Sequence, residues 1–232
     1  MADGLVEDLR AQIDRGQAVV VAGAGVAAGA SGGMAEASWH GLLESGVAWC
    51  QQRLPVLPAG WAEVVLGLVR LGDTSSLVSA AELVTEKLGG RQGGEYRRWL
   101  RETLAPLVTA DPSVPEALGD LGVPIATTNY DGLIEAANDG LGTVTWRDGA
   151  GIQRILRGDG RAVVHLHGYW DDPESVVLGI RSYEAVLGDA AAQALQRAIA
   201  SVSTLIFVGV GSGADDPNFG ALRGVARKDL LG

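Results

Sequence analysis

The chain reads as an α/β protein: a doubly wound, mostly parallel Rossmann-like sheet with a helical insertion at about 51–118. Two observations predict this. Short apolar, β-rich runs alternate with stretches of helical periodicity, as parallel strands alternate with their crossover helices. Glycine or polar residues stand just beyond the ends of four such runs, where an open α/β sheet collects the groups that touch a ligand.

The elements follow in order. Leu5, Leu9 and Ile13 recur at helical spacing, and Gly16 follows as a C-terminal cap. Residues 18–22 form an unbroken apolar run, the mark of a strand covered on both faces. A helix is expected from Ser38, its N-cap, to Cys50, with Trp39, Leu42, Leu43 and Val47 on its apolar side. From 51 to 118 the apolar positions, among them Trp61, Val65, Val84, Trp99 and Leu104, predict helices punctuated by Pro55, Pro58, Gly72, Gly89-Gly90 and Gly93-Gly94. These helices are expected to wall one side of a pocket, with their aromatic residues in the core. Strands are expected at 123–127, 143–146, 162–166, 175–178 and 204–209. Helices are expected at 131–138 and 183–202, the second turning Leu187, Leu195, Ile199 and Val202 toward the sheet. A short helix follows Asp216-Pro217-Asn218-Phe219, and the abrupt stop after it reads as a piece of a longer polypeptide, with 1–232 as one domain.

Composition narrows the function. A hydrophobic fraction of 47% over 232 residues provides ample core material. The net charge of −10 argues against direct nucleic-acid binding, which needs clustered Lys and Arg. One cysteine, Cys50, allows neither an intramolecular disulfide nor a Cys-rich zinc site, so no metal is expected. The acidic start lacks a signal-peptide layout, and no apolar run reaches roughly 18 residues. A cytoplasmic location without membrane contact is expected.

The four edges carry the chemistry, and together they suggest a shared crevice for a nucleotide. Gly23-Ala24-Gly25 permits close backbone approach, with the following amides available to a diphosphate; a purely steric turn is the alternative. The dinucleotide fingerprint G-x-G-x-x-G is not matched, because Ala28 occupies its third glycine, and there is no Walker lysine. In Thr127-Thr128-Asn129-Tyr130-Asp131, Asn129 can hold a water or a ribose hydroxyl, or can close an Asx turn. Asp131 reads mainly as the cap of the next helix. In His165-Leu166-His167-Gly168, alternation puts both histidines on one face. His165 reads as a core histidine and His167 as a proton acceptor, with Gly168 opening space beside it. Gly209-Val210-Gly211-Ser212 can approach an adenosine ribose.

In this order, these residues resemble the sirtuin superfamily. Gly23-Ala24-Gly25-Val26 is similar to that family's opening glycine turn, although Ala27 replaces the usual serine. Thr127 to Asp131 is similar to its Thr-Gln-Asn-Ile-Asp segment, Leu166-His167-Gly168 to its catalytic His-Gly, and Gly209 to Ser212 to its adenosine edge. The chain cannot build the four-cysteine zinc module of the deacylases and lacks their Gly-Ile-Pro-Asp-Phe-Arg run. It therefore resembles the zinc-free branch found in bacterial anti-phage systems such as Thoeris, to which Tyr130 and Asp216-Pro217-Asn218 are also similar.

The resemblance implies hydrolysis of NAD to nicotinamide and ADP-ribose, with NAD as substrate and no metal. It implies Asn129 and His167 as catalytic residues, and Gly23, Ala24, Gly25, Thr128, Asp131, Gly209, Gly211 and Ser212 as NAD contacts. Two other readings stand beside it: an NAD-dependent protein deacylase, and a sensor module that binds NAD or ADP-ribose without turnover. An unrestrained NADase would drain its host, so control by a homo-oligomer, or by a sensor domain or partner protein, is expected. Trp49 and Trp61 fit either a self-association face or the core.

Overall fold

A computed structural model describes residues 2–202 and 204–211 of the chain. Its centre is a five-stranded parallel sheet in the order β3-β4-β2-β1-β5. The strands are β1 (Ala18–Ala22), β2 (Ile125–Thr127), β3 (Gly142–Thr145), β4 (Ala162–His165) and β5 (Thr204–Val208). Helices cover both faces, as a doubly wound fold requires. The alternation of β1 decides which residues go where. Val19 and Val21 pack with Ile152 and Ile155 of α9 (Gly149–Leu156) and Ile199 of α11 (Ala190–Val202). Ala18, Val20 and Ala22 pack with Val26 of α2 (Ala24–Ala30), Leu118 of α7 (Ser113–Asp120) and Ile134 of α8 (Leu133–Ala136). Ile13 of α1 (Ala2–Asp14) leans on this second face, and Gly16 ends α1 at φ +65°.

Register places the functional edges. Ala22 stands opposite Thr127 and Val208, and Thr127 and Thr145 both stand opposite His165. The five strands therefore end on one level, and the residues beyond them share one rim. From β1 the chain moves to β2 and on to β3 on one side, and after β4 it crosses back to β5 on the other side of β1. Such a reversal opens a crevice beyond the strand ends.

Residues 51–118 contain helices and loops, as the periodicity predicts. α3 (Trp39–Arg53), α4 (Trp61–Leu71), α5 (Thr74–Lys87) and α6 (Gly94–Leu104) build a separate apolar layer. Ser38 caps α3, its hydroxyl accepting from the Gly41 amide at 3.1 Å. Trp99 is fully buried, and its indole donates to Ser45 Oγ at 3.1 Å. Gly46 lets α3 approach: a Cβ there would lie 2.7 Å from Val84 and 3.1 Å from Trp99. Trp61 is buried in this layer, and Trp49 packs against it while donating to Glu95 at 3.1 Å. Trp61 therefore serves the core, and Trp49 is half-buried against it with Arg53 over its ring. Burial also pushes the Cys50 thiol up to about 11, which leaves it unreactive.

Three expectations are corrected. Residues 175–178 are not a strand. They run from a turn at Ser175 into a buried irregular crossing whose amide at Val177 donates to the His167 carbonyl at 2.7 Å. Its own carbonyls accept from side chains: Ser175 from the Trp146 indole at 2.6 Å, and Val177 from the Tyr130 hydroxyl at 2.8 Å. Backbone groups satisfied in this way need no ladder. The helix expected at 183–202 is two helices, α10 (Ile180–Gly188) and α11, broken at Asp189, whose carboxylate accepts from the Ala192 amide at 2.9 Å. Leu187, expected to face the sheet, is 43% exposed because it belongs to the first of the two. Among the described residues, no helix is long and apolar enough to cross a membrane.

Trp99→Ala should destabilise the protein by about 3–5 kcal/mol, as deletion of a buried aromatic ring does. Denaturant unfolding measures it.

Candidate functional site at the strand rim

The site begins where β2 ends. Thr127 Oγ1 donates to the Ala22 carbonyl at 3.1 Å and accepts from the Asn129 amide at 3.1 Å, joining β1 to the turn that carries Asn129. The Asn129 carboxamide Nδ2 donates to the Gly23 carbonyl at 3.1 Å. A carbonyl can only accept, so this bond fixes which end of the carboxamide is nitrogen and leaves Oδ1 as the acceptor. Asn129 is 8% exposed, so it is held rather than solvated.

Asp131 is buried, and its carboxylate accepts from the Leu133 amide at 3.1 Å at the start of α8; the N-cap itself is Gly132, so Asp131 braces the helix from one residue before the expected cap position. Burial pushes its carboxyl above the usual range, while the Leu133 amide and His165 oppose that shift.

Beyond β4, the two histidines part. The strand stops at His165, so alternation does not carry on to His167. His165 is fully buried and bonded to Glu135 on α8. His167 is 4% exposed and sits edge-on to Tyr183 of α10, ring centroids 5.8 Å apart. Gly168 does not open space beside His167. It has φ +85°, and a Cβ there would overlap the Ser175 carbonyl, so glycine is required by the crossing segment.

The first and last glycine edges press on each other. A Cβ on Gly23 would lie 2.6 Å from Val210 Cα, and one on Gly25 2.9 Å from Gly209 Cα. The Gly23 amide donates to the Val208 carbonyl at 2.9 Å and the Gly25 amide to the Gly209 carbonyl at 2.8 Å. These glycines thus have a steric function, and their two amides already have acceptors. Gly209 itself has φ +64°.

A cavity of about 350 Å³ opens at this rim, within the size range of small-molecule sites. Ala24, Gly25, Thr128, Asn129, Asp131, His167, Gly209 and Gly211 all line it, so the structure brings these predicted residues together. Gly23 stands behind Asn129 as its hydrogen-bond acceptor. Ser212 and the Asp216-Pro217-Asn218 segment lie outside the described residues. The opposite wall comes from the helical layer, through Trp39, Leu42, Leu77 and Leu104, and from Tyr183. Glu36 and His40 also line the cavity, while none of the described lining residues is Lys or Arg. In the sequence Trp39 and Tyr183 stand within helical patterns, and Trp39 also stands in the region where the deacylases carry their Gly-Ile-Pro-Asp-Phe-Arg run. Nothing in their local pattern distinguishes a pocket wall from a core contact.

Residues 124–229 match the SIR2-like domain family model. This SIR2-like segment spans somewhat under half of the chain and supports the sirtuin-like superfamily. It begins one residue before β2 and includes Asn129 and His167, while the first glycine edge and α1 to α7 precede it. SIR2-like domains are often NAD-dependent enzymes, so the match fits an NAD-related function.

Two stability measurements test this geometry. Gly209→Ala should cost about 1–3 kcal/mol, because it forces a side chain into a left-handed conformation against the Val26 amide. Gly29→Ala, in open space on α2, should instead stabilise by about 0.4–1 kcal/mol. For Asp131, a raised folded-state pKa means that the native state holds its proton longer than the unfolded chain does. That residue's contribution to stability therefore falls as pH rises through its folded pKa. Asp131→Asn should melt higher than wild type at neutral pH, with the gap closing as pH falls through the raised folded-state pKa of Asp131 to the ordinary value of the unfolded chain.

Proposed function

We propose that the cavity binds NAD and that the protein hydrolyses its N-glycosidic bond, releasing nicotinamide and ADP-ribose. The observation that supports this reading best is that Asn129 and His167 line one cavity at the carboxyl rim, within the SIR2-like segment. Cleavage takes the bonding electron pair out with nicotinamide and leaves an oxocarbenium-like ribose. Water adds to that carbon and must lose a proton. Asn129 Oδ1, oriented by the bond from Nδ2 to Gly23, accepts from the attacking water or a ribose hydroxyl. His167 accepts the proton released as the new C–O bond forms. The apolar wall of Trp39, Leu42 and Leu77 excludes bulk water from the reacting carbon. With no Lys or Arg among the described lining residues, the diphosphate lies along the glycine edges, where the Gly23 and Gly25 amides are already donated and close approach of the backbone is what the glycines supply.

In this reading the protein is an effector in bacterial anti-phage defence, kept silent by self-association or by a partner domain until infection. Its sequence resemblance to the zinc-free sirtuin-like branch supports that role.

Nicotinamide release from NAD tests the proposal. Asn129→Ala and His167→Ala should each lower turnover by about 10²–10⁴-fold while retaining a cooperative melt. Wild-type rates in both variants would reject the assignment. Turnover of an acyl-lysine peptide coupled to nicotinamide release would replace hydrolysis with deacylation.

A further inference from the structure

A second buried polar cluster lies directly behind Asn129, and the proposed reaction does not use it. His165 Nδ1 is 2.9 Å from the Asn129 carbonyl oxygen. Because a carbonyl only accepts, Nδ1 must carry a proton and donate it. The other ring nitrogen, Nε2, lies 2.8 Å from Glu135 Oε1, which also accepts from Thr143 Oγ1 at 2.9 Å. Tyr169 packs against the ring, with centroids 4.9 Å apart. His165 therefore joins a helix carboxylate to the main chain of the residue that the proposed mechanism needs most.

The bonds around Asn129 show what this contact does. Its amide is held by Thr127, its carboxamide by Gly23 and its carbonyl by His165. The three anchors come from β2, from the edge of β1 and from the end of β4. Together they fix the peptide and side chain of Asn129. Without the third, the Asn129–Tyr130 peptide is free to tilt and carry Oδ1 away from the reacting carbon.

Glu135 sets the state of the ring. A carboxylate facing Nε2, or an acid donating to it, is compatible with a proton on Nδ1. With no partner at Nε2, a neutral ring can take the other tautomer, which turns a lone pair toward the Asn129 carbonyl. We propose that the Glu135–His165 pair is a positioning device that holds the Asn129 carbonyl, and through it the catalytic carboxamide. This rests on the reading of Asn129 in the proposed function.

Two substitutions of His165 separate this role from core filling. In His165→Asn the side-chain nitrogen falls near the former Nδ1 and can still donate to the Asn129 carbonyl. In His165→Gln it falls near the former Nε2 and cannot. Glu135→Gln retains a donor for Nε2, whereas Glu135→Ala does not. His165→Gln and Glu135→Ala should therefore lose about 10- to 100-fold in kcat, with KM within about 3-fold of wild type. His165→Asn and Glu135→Gln should keep kcat within about 3-fold.

A readout independent of turnover is the ¹⁵N–¹H signal pair of the Asn129 carboxamide. It should shift or broaden in His165→Gln and stay in place in His165→Asn. If both His165 variants lose activity in step with melting temperature and leave the carboxamide signals alike, the inference is overturned. If wild type releases no nicotinamide, the proposed function fails; the NMR comparison then still decides whether His165 anchors Asn129.

Discussion

The Asn129 carboxamide donates to the Gly23 carbonyl, and this one bond ties the edge of β1 to the turn after β2. It depends on β1 and β2 ending level, which the pairing of Ala22 with Thr127 secures. It also depends on Gly23 having no side chain, because the β5 edge passes where a Cβ would stand. Sheet register, glycine sterics and the orientation of a single carboxamide are thus one constraint. The cavity stands at the point where they meet.

The helical layer completes the site with an apolar wall of Trp39, Leu42, Leu77 and Leu104, and with His40 of α3 beside it. Its core is mainly aliphatic around Trp61, Tyr96 and Trp99, and Leu42, Leu77 and Leu104 extend it to the cavity. α10 closes the cavity from a third side. Its first turn is fixed to α5, where Glu82 accepts from the Arg181 amide at 3.1 Å, and Tyr183 is thereby held edge-on to His167. The cavity thus sets apolar side chains of the helical layer against the polar groups of the sheet rim, with Glu36 and His40 also on its lining. That division suits a reaction through a short-lived cation.

Much of this was legible in the sequence. β1 and β4 announce themselves as β-rich apolar runs because helices cover them, β5 has the same composition at the sheet edge, and the residues one step beyond all three form the rim. The strand misread at 175–178 has the same composition, but Trp146 and Tyr130 supply its hydrogen bonds, and no local pattern reveals partners about 30 or 47 residues away. Helix α9 went unread despite Ile152, Ile155 and an Asp148 carboxylate accepting from the Gly151 amide. Gly188-Asp189 was a readable stop and start that the long alanine-rich run obscured. For His165, alternation alone suggested kinship with His167. The end of the strand separates them, and only the fold brings Glu135 to the first.

The most direct test of the central claim is a crystal structure with ADP-ribose bound. The account predicts the nicotinamide-side ribose within hydrogen-bonding reach, about 2.6–3.2 Å, of both Asn129 Oδ1 and the His167 ring. A ligand seated elsewhere, or a ribose touching neither group, would contradict it.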